Sequence, residues 1–353
     1  MFRKDGFIVL LLMAAVVGFV AFGGEHVGAQ EKTAAKPVAS PTPPAEEDEV
    51  FKVETESVSV LFTAQDKMRK LLTNLKQEDV RILENGQVQE ISAFSRQIDL
   101  PLSLAILIDT SASQERTLPQ EKAAAVSFVE SVVRPTKDEV SVISFTGEST
   151  LEQGLTNNVN RLRHAIERVQ FTPPSGYVGG GVVVGTPPIS GQNAQVQGST
   201  AIWDSIWITS SDVLGPAPEK TRRAIILLSD GYDTFSRKKL DDAVQAALRA
   251  EAVIYSIGIG DNFYDGVDEA TLKKISERTG GRAYFPRDEN QLRQAFIQIQ
   301  DEMRSQYLIA YEPTNRALDG SYRKIEIQLV NSTLAKDKVR LTHRQGYFAK
   351  TAK

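Results

Sequence analysis

The residues whose types and spacing could do chemistry stand at the end of an apolar run. Residues 104–108, Leu-Ala-Ile-Leu-Ile, are followed at once by Asp109, and the hydroxyl residues Ser111 and Ser113 come just beyond it. The run has the length and composition of a strand buried on both faces of a parallel sheet. Such sheets place ligand sites beyond the carboxyl ends of their strands. One carboxylate and two hydroxyls form an oxygen-only ligand set, which suits a hard cation such as Mg²⁺.

A plainer interpretation of the same three residues is a turn at a strand end that leads into a helix. Asp and Ser are common at helix N-caps because their side-chain oxygens accept hydrogen bonds from unpaired backbone amides. A triplet of this kind is therefore a weak signal when it stands alone.

The apolar run recurs along the chain. Residues 224–229 form a second run that ends at Asp230 and Gly231, and residues 253–259 form a third. Segments with apolar residues at helical spacing lie between these runs, and Ser199-Thr200 opens one of them. Strands that alternate with helices in this way predict a mostly parallel, doubly wound α/β sheet with helices on both faces.

Composition excludes several classes of protein. The chain has 353 residues with 41% hydrophobic content, which is enough for about two domains of roughly 100–200 residues each. Its net charge of −4 argues against nucleic-acid binding. It contains no cysteine, so disulfides and Cys-ligated metals are ruled out. Its three histidines lie far apart in the sequence, which argues against a zinc site and against a His-based triad.

The first 49 residues carry an export pattern. Arg3 and Lys4 precede an apolar run over residues 7–22, and small residues at 27–29 predict signal-peptidase cleavage after Ala29. The alternative is an uncleaved membrane anchor, although the run is shorter than the roughly 20 residues of a typical spanning helix. Residues 30–49, rich in proline, alanine and acids, are predicted to be a disordered linker. Both interpretations export the rest of the chain to the periplasm, the cell surface or the medium.

Both flanks of the α/β region show the alternation of half-buried strands. Residues 50–100 include two alternating runs around Asn85-Gly86, a pair that favours a tight hairpin. Residues 305–348 alternate in the same way. We expect the two flanks to pair in one small β domain, with the α/β domain of residues 101–304 inserted into it.

The residues assembled so far resemble the von Willebrand factor type A domain over about residues 102–303. The resemblance rests on Asp109-x-Ser111-x-Ser113, on Thr200 at the start of a helix, and on Asp230-Gly231 after a buried strand. The flanks, including residues 83–94, 307–313 and 344–348, are similar to those of secreted bacterial proteins related to that domain.

The resemblance implies that these five residues form a metal-ion-dependent adhesion site. Ser111 and Ser113 would bind Mg²⁺ through their hydroxyls, and Thr200 would bind it directly or through water. Asp109 and Asp230 would contact the ion directly or hold its water shell. The open coordination position would take an Asp or Glu carboxylate of a partner protein. Mn²⁺ and Ca²⁺ are alternative ions, and no catalytic residue is implied.

Two other functions are weighed against this one. A structural envelope scaffold would have the same fold without metal-dependent binding. A serine hydrolase would need a nucleophile motif, and the sequence has no Gly-x-Ser-x-Gly. Asp204 and Asp233 are interpreted as loop-holding residues. The Gly/Pro-rich loop of residues 172–198 departs from the family, and we expect it to lie on the metal side.

Overall fold

The structure is a computed structural model that describes residues 57–97, 100–173, 199–218, 221–260 and 266–352. The predicted signal segment, the predicted linker and residues 174–198 of the Gly/Pro-rich loop lie outside the described residues. In chain order the described strands are β1 (Val58–Gln65), β2 (Val80–Glu84), β3 (Gln87–Gln89), β4 (Ile91–Gln97), β5 (Leu102–Asp109), β6 (Glu139–Phe145), β7 (Ser149–Thr156), β8 (Arg222–Ser229), β9 (Ala252–Gly258), β10 (Ala283–Tyr284), β11 (Gln306–Tyr311), β12 (Tyr322–Leu329), β13 (Arg340–His343) and β14 (Gly346–Phe348).

The described α-helices alternate with the central strands. They are α1 (Leu118–Val132), α2 (Val159–Arg168), α3 (Ile202–Ile208), α4 (Leu240–Arg249), α5 (Glu269–Thr279), α6 (Glu289–Arg304) and α7 (Ser332–Lys336). A π-helical turn over Thr209–Leu214 extends α3, and short 3-10 turns cover Gln77–Asp79 and Ala112–Gln114. None of the helices in the described ranges is long and apolar enough to cross a membrane.

A six-stranded sheet lies at the centre of the described α/β region, in the order β10-β9-β8-β5-β6-β7. Neighbouring strands run parallel except β6 and β7, which are antiparallel. Side chains of β5 alternate between two cores: Leu104 and Ile106 pack with α1, α2 and α6, whereas Ala105 and Leu107 pack with α3, α4 and α5. The strand is therefore buried on both faces, as its unbroken apolar sequence predicts.

The remaining described strands form two four-stranded sheets, β13-β1-β11-β4 and β14-β12-β2-β3. Strand β1 pairs with β11, and β2 pairs with β12, in antiparallel fashion. Strands before and after the α/β region thus share sheets, with a common core that includes Val60, Phe62, Ile82, Tyr307 and Ile325. The predicted fold class, a mostly parallel α/β sheet beside a small β domain, is confirmed.

The hairpin between β2 and β3 shows how local sequence sets local structure. Asn85 and Gly86 both have positive φ, +49° and +84°. A two-residue turn with positive φ at both positions matches the twist of the flanking strands, and Asn-Gly tolerates it best. The hairpin predicted from this pair is confirmed.

Candidate metal centre

The candidate site lies at the carboxyl ends of β5, β8 and β9. Strands β5 and β8 are in register, with Ile108 opposite Leu228, so Asp109 at the end of β5 comes beside Ser229 at the end of β8. Asp230 follows Ser229 directly. The parallel register thus brings together two carboxylates that are more than a hundred residues apart in sequence.

The carboxylate of Asp109 is held at both oxygens. The backbone amide of Ser111 donates to Oδ1 over 2.9 Å, and the hydroxyl of Ser229 donates to Oδ2 over 2.7 Å. Asp109 and Ser229 have no exposed surface. Each carboxylate oxygen retains a lone pair beyond these bonds, so Asp109 is oriented without being saturated.

A 3-10 turn brings the two serines of the motif together. The Oγ atoms of Ser111 and Ser113 are 3.3 Å apart. The side-chain amide of Gln114 donates to Ser113 Oγ over 3.4 Å and to the backbone carbonyl of Ile259, beyond β9, over 3.2 Å. The buried Gln114 therefore ties the serine turn to the third strand end. The sequence interpretation did not include Gln114 or Ser229.

Asp230 completes the contacts among the predicted ligands. Its Oδ1 accepts a hydrogen bond from the amide of Tyr232 over 3.1 Å. The side chains of Ser113 and Gln114 act against the rise in its pKa. The next residue, Gly231, has φ of +91°, and a Cβ there would lie 2.9 Å from Leu272 Cγ. Only glycine fits this conformation and this space, so the turn that aims Asp230 depends on it.

Thr200 reaches the same edge through its backbone. Its amide donates to Thr234 Oγ1 over 2.9 Å, and the amide of Ala201 donates to the carbonyl of Thr146 over 2.7 Å. Thr146 follows Phe145, which lies opposite Asp109 in the sheet. The structure therefore brings Asp109, Ser111, Ser113 and Asp230 to one edge of the sheet, and the bond from Ala201 to Thr146 brings the chain next to Thr200 to the strand beside Asp109.

The structure shows the turns of the plainer interpretation, since Asp109 accepts from the amide of Ser111 and Asp230 from that of Tyr232, but it does not show the helix caps. The N-cap of α3 is Ala201, so Thr200 lies outside the helix. The N-cap of α1 is Thr117, well beyond the motif. Ser111 precedes the 3-10 turn, but its side chain makes no capping hydrogen bond.

Asp204 and Asp233 hold loops, as predicted. Asp233 Oδ1 accepts hydrogen bonds from the amide of Ile202 over 2.7 Å and from Ser236 Oγ over 2.6 Å. Asp204 accepts from the amides of Arg237 and Lys238. These contacts fix the start of α3 against the segment after Asp230, so both aspartates hold the loops around the candidate site.

Burial and mutual repulsion make the two carboxylates costly in their charged form. Burial raises the pKa of Asp109 to about 7, and the nearby charge of Asp230 adds to the rise. Burial also raises the pKa of Asp230. The contributions that oppose the rise at Asp109 are hydrogen bonds from Ser111 and Ser229, not the charge of a basic side chain. Burial thus makes the charged form of both carboxylates unfavourable, and a nearby cation would have the opposite effect.

A third buried acid, Glu121 on α1, is affected by the charges of Asp109 and Asp230. It is fully buried, and neither side-chain oxygen has a hydrogen-bond partner within 3.5 Å among the described residues. Burial raises its pKa to about 8, and the charges of Asp109 and Asp230 contribute to that rise, whereas the Thr117 hydroxyl opposes it. Glu121 is missing from the predicted site. The available signal was a glutamate within the apolar stripe of a helix, between Leu118 and Ala125.

The residues present fit a hard divalent cation. Carboxylate and hydroxyl oxygens are the donors that Mg²⁺, Mn²⁺ and Ca²⁺ prefer. The donors are preoriented by the hydrogen bonds of Asp109 and by the Ser111–Ser113 contact. Two buried acids with raised pKa values would return toward their usual pKa beside a cation. Within the described ranges there is no cluster of three or more acidic, His or Cys side chains suited to a metal.

The two described histidines do not serve these serines. His164 lies exposed on α2, with Nδ1 3.3 Å from Glu167 Oε2. His343 lies in the β domain, where its Nε2 accepts a hydrogen bond from the amide of Ile327 over 3.2 Å. Both rings are engaged away from the serines, which leaves Ser111 and Ser113 without either of them as a general base.

Comparison with protein families identifies the α/β region. Two family models, both described as the von Willebrand factor type A domain, match residues 104–233 and 193–298. Together they span the strands, helices and loops that build the site. The chain contains a von Willebrand factor type A domain. The type A domain includes all five predicted metal ligands, and the two antiparallel sheets extend beyond it on both sides.

Solved structures with a similar arrangement include two kinds of protein. Proximal thread matrix protein 1 from the mussel byssus is 19% identical, with 63% of this chain and 51% of that chain covered at a TM-score of 0.45. A second structure of the mussel protein, described as having a zinc-occupied MIDAS motif, has 16% identity, 62% and 49% coverage and a TM-score of 0.46. An aerotolerance-related membrane protein from Bacteroides fragilis is 16% identical, with 58% and 98% coverage and a TM-score of 0.41.

This chain spans about half the length of the mussel protein. It has no match among curated proteins.

Proposed function

We propose that this protein is an exported binding module that captures a partner protein in a metal-dependent way, with Mg²⁺ as the resident ion. The observation that carries the proposal is the convergence of Asp109, Ser111, Ser113 and Asp230 at one edge of a type A domain. Type A domains are in general interaction modules rather than enzymes, and metal-dependent protein binding is their common mode.

The charges of the five predicted ligands suggest a different role for each. Ser111 and Ser113 would supply neutral oxygens to the ion, Asp109 and Asp230 would supply the negative charge, and Thr200 would bind from the adjoining loop. Because few protein charges neutralise it, the bound ion would keep a coordination position for an Asp or Glu carboxylate of the partner. The partner's acid would then be recognised by its charge and by its reach into the site.

Export is the second part of the proposal. Its support is the pattern of the first 29 residues, a basic start, an apolar stretch and small residues before Gln30. Because the chain carries no cysteine, its folding after export would not depend on an oxidising compartment. An uncleaved segment would instead tether the same module to a membrane.

The proposal is tested by selection from a peptide library displayed on beads. The purified chain from residue 30 onward, with Mg²⁺ present, should enrich peptides that contain Asp or Glu, and chelator should release them. Ser113→Ala should lower peptide retention by about tenfold or more, since it removes an oxygen of the ligand set. Ser131→Ala, an exposed serine on α1 of the same type A domain, serves as the matched control.

Retention that is equal with Mg²⁺ and with chelator would contradict metal-dependent capture and favour the scaffold alternative. Enrichment of basic or apolar peptides would contradict the carboxylate partner. Cleavage after Ala29 is checked separately by N-terminal sequencing of the protein recovered from cells, and a start at Met1 in the membrane fraction would indicate an anchor.

A further inference from the structure

We infer that a cavity between the β domain and the type A domain binds a small amphipathic carboxylate, with an apolar chain of about ten carbons. The cavity has a volume of about 310 Å³ and lies at the amino ends of β8 and β9. The metal centre lies at the opposite ends of these strands. The inference therefore concerns a second site, independent of the proposed function.

The size of the cavity is that of a ligand site. Pockets that bind small molecules usually enclose about 300–1,000 Å³. At about 30 Å³ for a water-sized group, 310 Å³ accommodates on the order of ten such groups. A linear chain of about ten carbons has a volume of this order.

The walls of the cavity are mainly apolar and are incompletely covered by protein. Along β1, Val60 and Phe62 point into the core of the β domain, so Ser59 and Leu61 face the other way and line the cavity. Leu308 on β11 lies opposite Leu61 in the register. Leu61 and Leu308 are only half-buried in the structure. A hydrocarbon chain against this wall would remove the remaining apolar surface from water.

The cavity lining carries more positive than negative charge, which favours an anionic ligand. The described lining residues include Arg222, Arg223 and Arg344 against one acid, Glu251. Arg223 donates through its terminal nitrogens to the neutral carbonyls of Ala217 over 2.7 Å and of Ala250 over 3.3 Å. Its charge is thus hydrogen-bonded without being neutralised by those partners.

Two of these arginines, Arg344 and Arg223, each have one N–H group that could donate to a ligand. Arg344 donates to Glu251 Oε1 over 3.1 Å and to the carbonyl of Ser59 over 2.8 Å. The Nε–H groups of Arg344 and Arg223 are both buried and have no hydrogen-bond partner among the described residues. A buried donor without an acceptor is destabilising. A carboxylate offers the acceptors that these groups lack, and bonds between a guanidinium and a carboxylate are charge-assisted.

The third arginine, Arg222, also favours an anionic ligand. Burial lowers the pKa of Arg222 to about 10, with the charges of Arg304 and Arg134 contributing. A bound anion would favour its charged form. Apolar walls and arginines together select an amphipathic anion over both a neutral hydrocarbon and a fully polar anion such as phosphate.

The test uses decanoate as the probe, below its micelle concentration, with 1-decanol as the uncharged match. Isothermal titration is performed on the chain from residue 30 onward in the presence of chelator, so that the metal centre does not contribute. We expect saturable binding of one decanoate per chain and no comparable binding of 1-decanol. Arg344→Met, which keeps the side-chain stem, should weaken decanoate binding by about tenfold or more.

A second variant guards against a general loss of folding. Leu308→Trp fills the cavity from the β11 side and should abolish decanoate binding while the far-UV circular dichroism stays unchanged. Leu151→Trp, an exposed leucine on the edge strand β7, is the matched control and should bind decanoate as the wild type does. Equal binding of decanoate and 1-decanol, no saturable binding by a folded wild type, or full binding by folded Leu308→Trp would each overturn the inference.

Discussion

At the scale of single residues, the site depends on a carboxylate that is buried and oriented before any ion arrives. Ser111 and Ser229 fix the two oxygens of Asp109, and burial with the charge of Asp230 raises its pKa to about 7. The charged forms of the buried carboxylates of Asp109 and Asp230 are thus unfavourable, and a bound cation would offset that cost. Glu121 is a third acid whose pKa is raised, to about 8, by burial and by the charges of Asp109 and Asp230.

Glu121 provides a pH prediction for the metal-free protein. Its pKa is raised by burial from 4.5 to about 8, so the folded state binds the proton more tightly than the unfolded chain. The stabilising contribution of Glu121 is therefore fully present below about pH 4.5 and is lost as the pH rises to about 8, by up to ~1.4 kcal/mol per pH unit. Glu121→Gln cannot ionise, so its free energy of unfolding should fall less steeply over this window.

The measurement is urea unfolding in chelator at a series of pH values. Glu130→Gln, an exposed glutamate on the same helix, is the control and should follow the wild type. If the Glu121→Gln and wild-type curves run parallel from about pH 5 to 8, the account of Glu121 as a buried ionisable group is incorrect.

At the scale of elements, the turn after β8 is the part that aims Asp230. Gly231 has φ of +91°, and a Cβ there would approach Leu272 Cγ at 2.9 Å and Asp268 O at 3.0 Å. Gly86 in the β2–β3 hairpin has φ of +84°, but a Cβ added there would have nothing within 4 Å. The two glycines share a backbone conformation and differ in their surroundings.

Gly231→Ala should therefore destabilise the protein by more than Gly86→Ala. We expect about 1 kcal/mol at Gly86 from the left-handed conformation alone, and about 1–3 kcal/mol more at Gly231 from overpacking. Because Asp230 must shift with its neighbour, Gly231→Ala should also weaken cation binding, whereas Gly86→Ala should leave it unchanged. Denaturant unfolding and cation titration of both variants check this, and equal effects at the two glycines would refute it.

The elements also show which features were predictable. The strand of residues 102–109 could be predicted because burial on both faces leaves an unbroken apolar run, and the β2–β3 hairpin because Asn85-Gly86 suits its turn. The start of α3 was predicted at Ser199-Thr200, but the helix begins at Ile202, because its first amides are bonded by Asp233 and Ser236, more than thirty residues away. The π-helical turn of Thr209–Leu214 has no sequence signature of its own.

The candidate site was predictable to the same limited extent. Its five residues came from spacing and from a family resemblance, and their role as ligands stays a prediction. Ser229, Gln114 and Glu121 were not predicted, because their roles follow from the parallel register and from the packing of α1 against the sheet. The local sequence pattern encodes neither the strand register nor the packing of α1 against the sheet.

At the scale of the whole molecule, the type A domain and the β domain are connected through side chains. Gln65 on β1 donates to Glu302 Oε1 on α6 over 2.9 Å, and Arg344 beyond β13 pairs with Glu251 beyond α4. Only Ser305 separates α6 from β11. Strands from both flanks are needed to complete each sheet of the β domain, so neither flank has a complete sheet alone.

We therefore expect the two parts to unfold together. Both tryptophans, Trp203 and Trp207, lie on α3 and report on the type A domain, whereas far-UV circular dichroism reports on the whole chain. The two thermal transitions should coincide, and Mg²⁺ should raise both midpoints equally. A dichroism transition that separates from the fluorescence transition, with Mg²⁺ moving only the latter, would show that the domains are uncoupled.

The central claim is that Asp109, Ser111, Ser113, Thr200 and Asp230 hold one divalent cation. Titration of Mn²⁺ into the metal-free chain, followed by electron paramagnetic resonance of the free ion, tests it most directly. We expect one bound Mn²⁺ per wild-type chain, competition by Mg²⁺, and a loss of about tenfold or more in affinity in Asp109→Asn. Asp241→Asn, at an exposed position on α4, should bind Mn²⁺ as the wild type does. Absence of saturable Mn²⁺ binding to the folded wild type, or undiminished binding by Asp109→Asn, would contradict it.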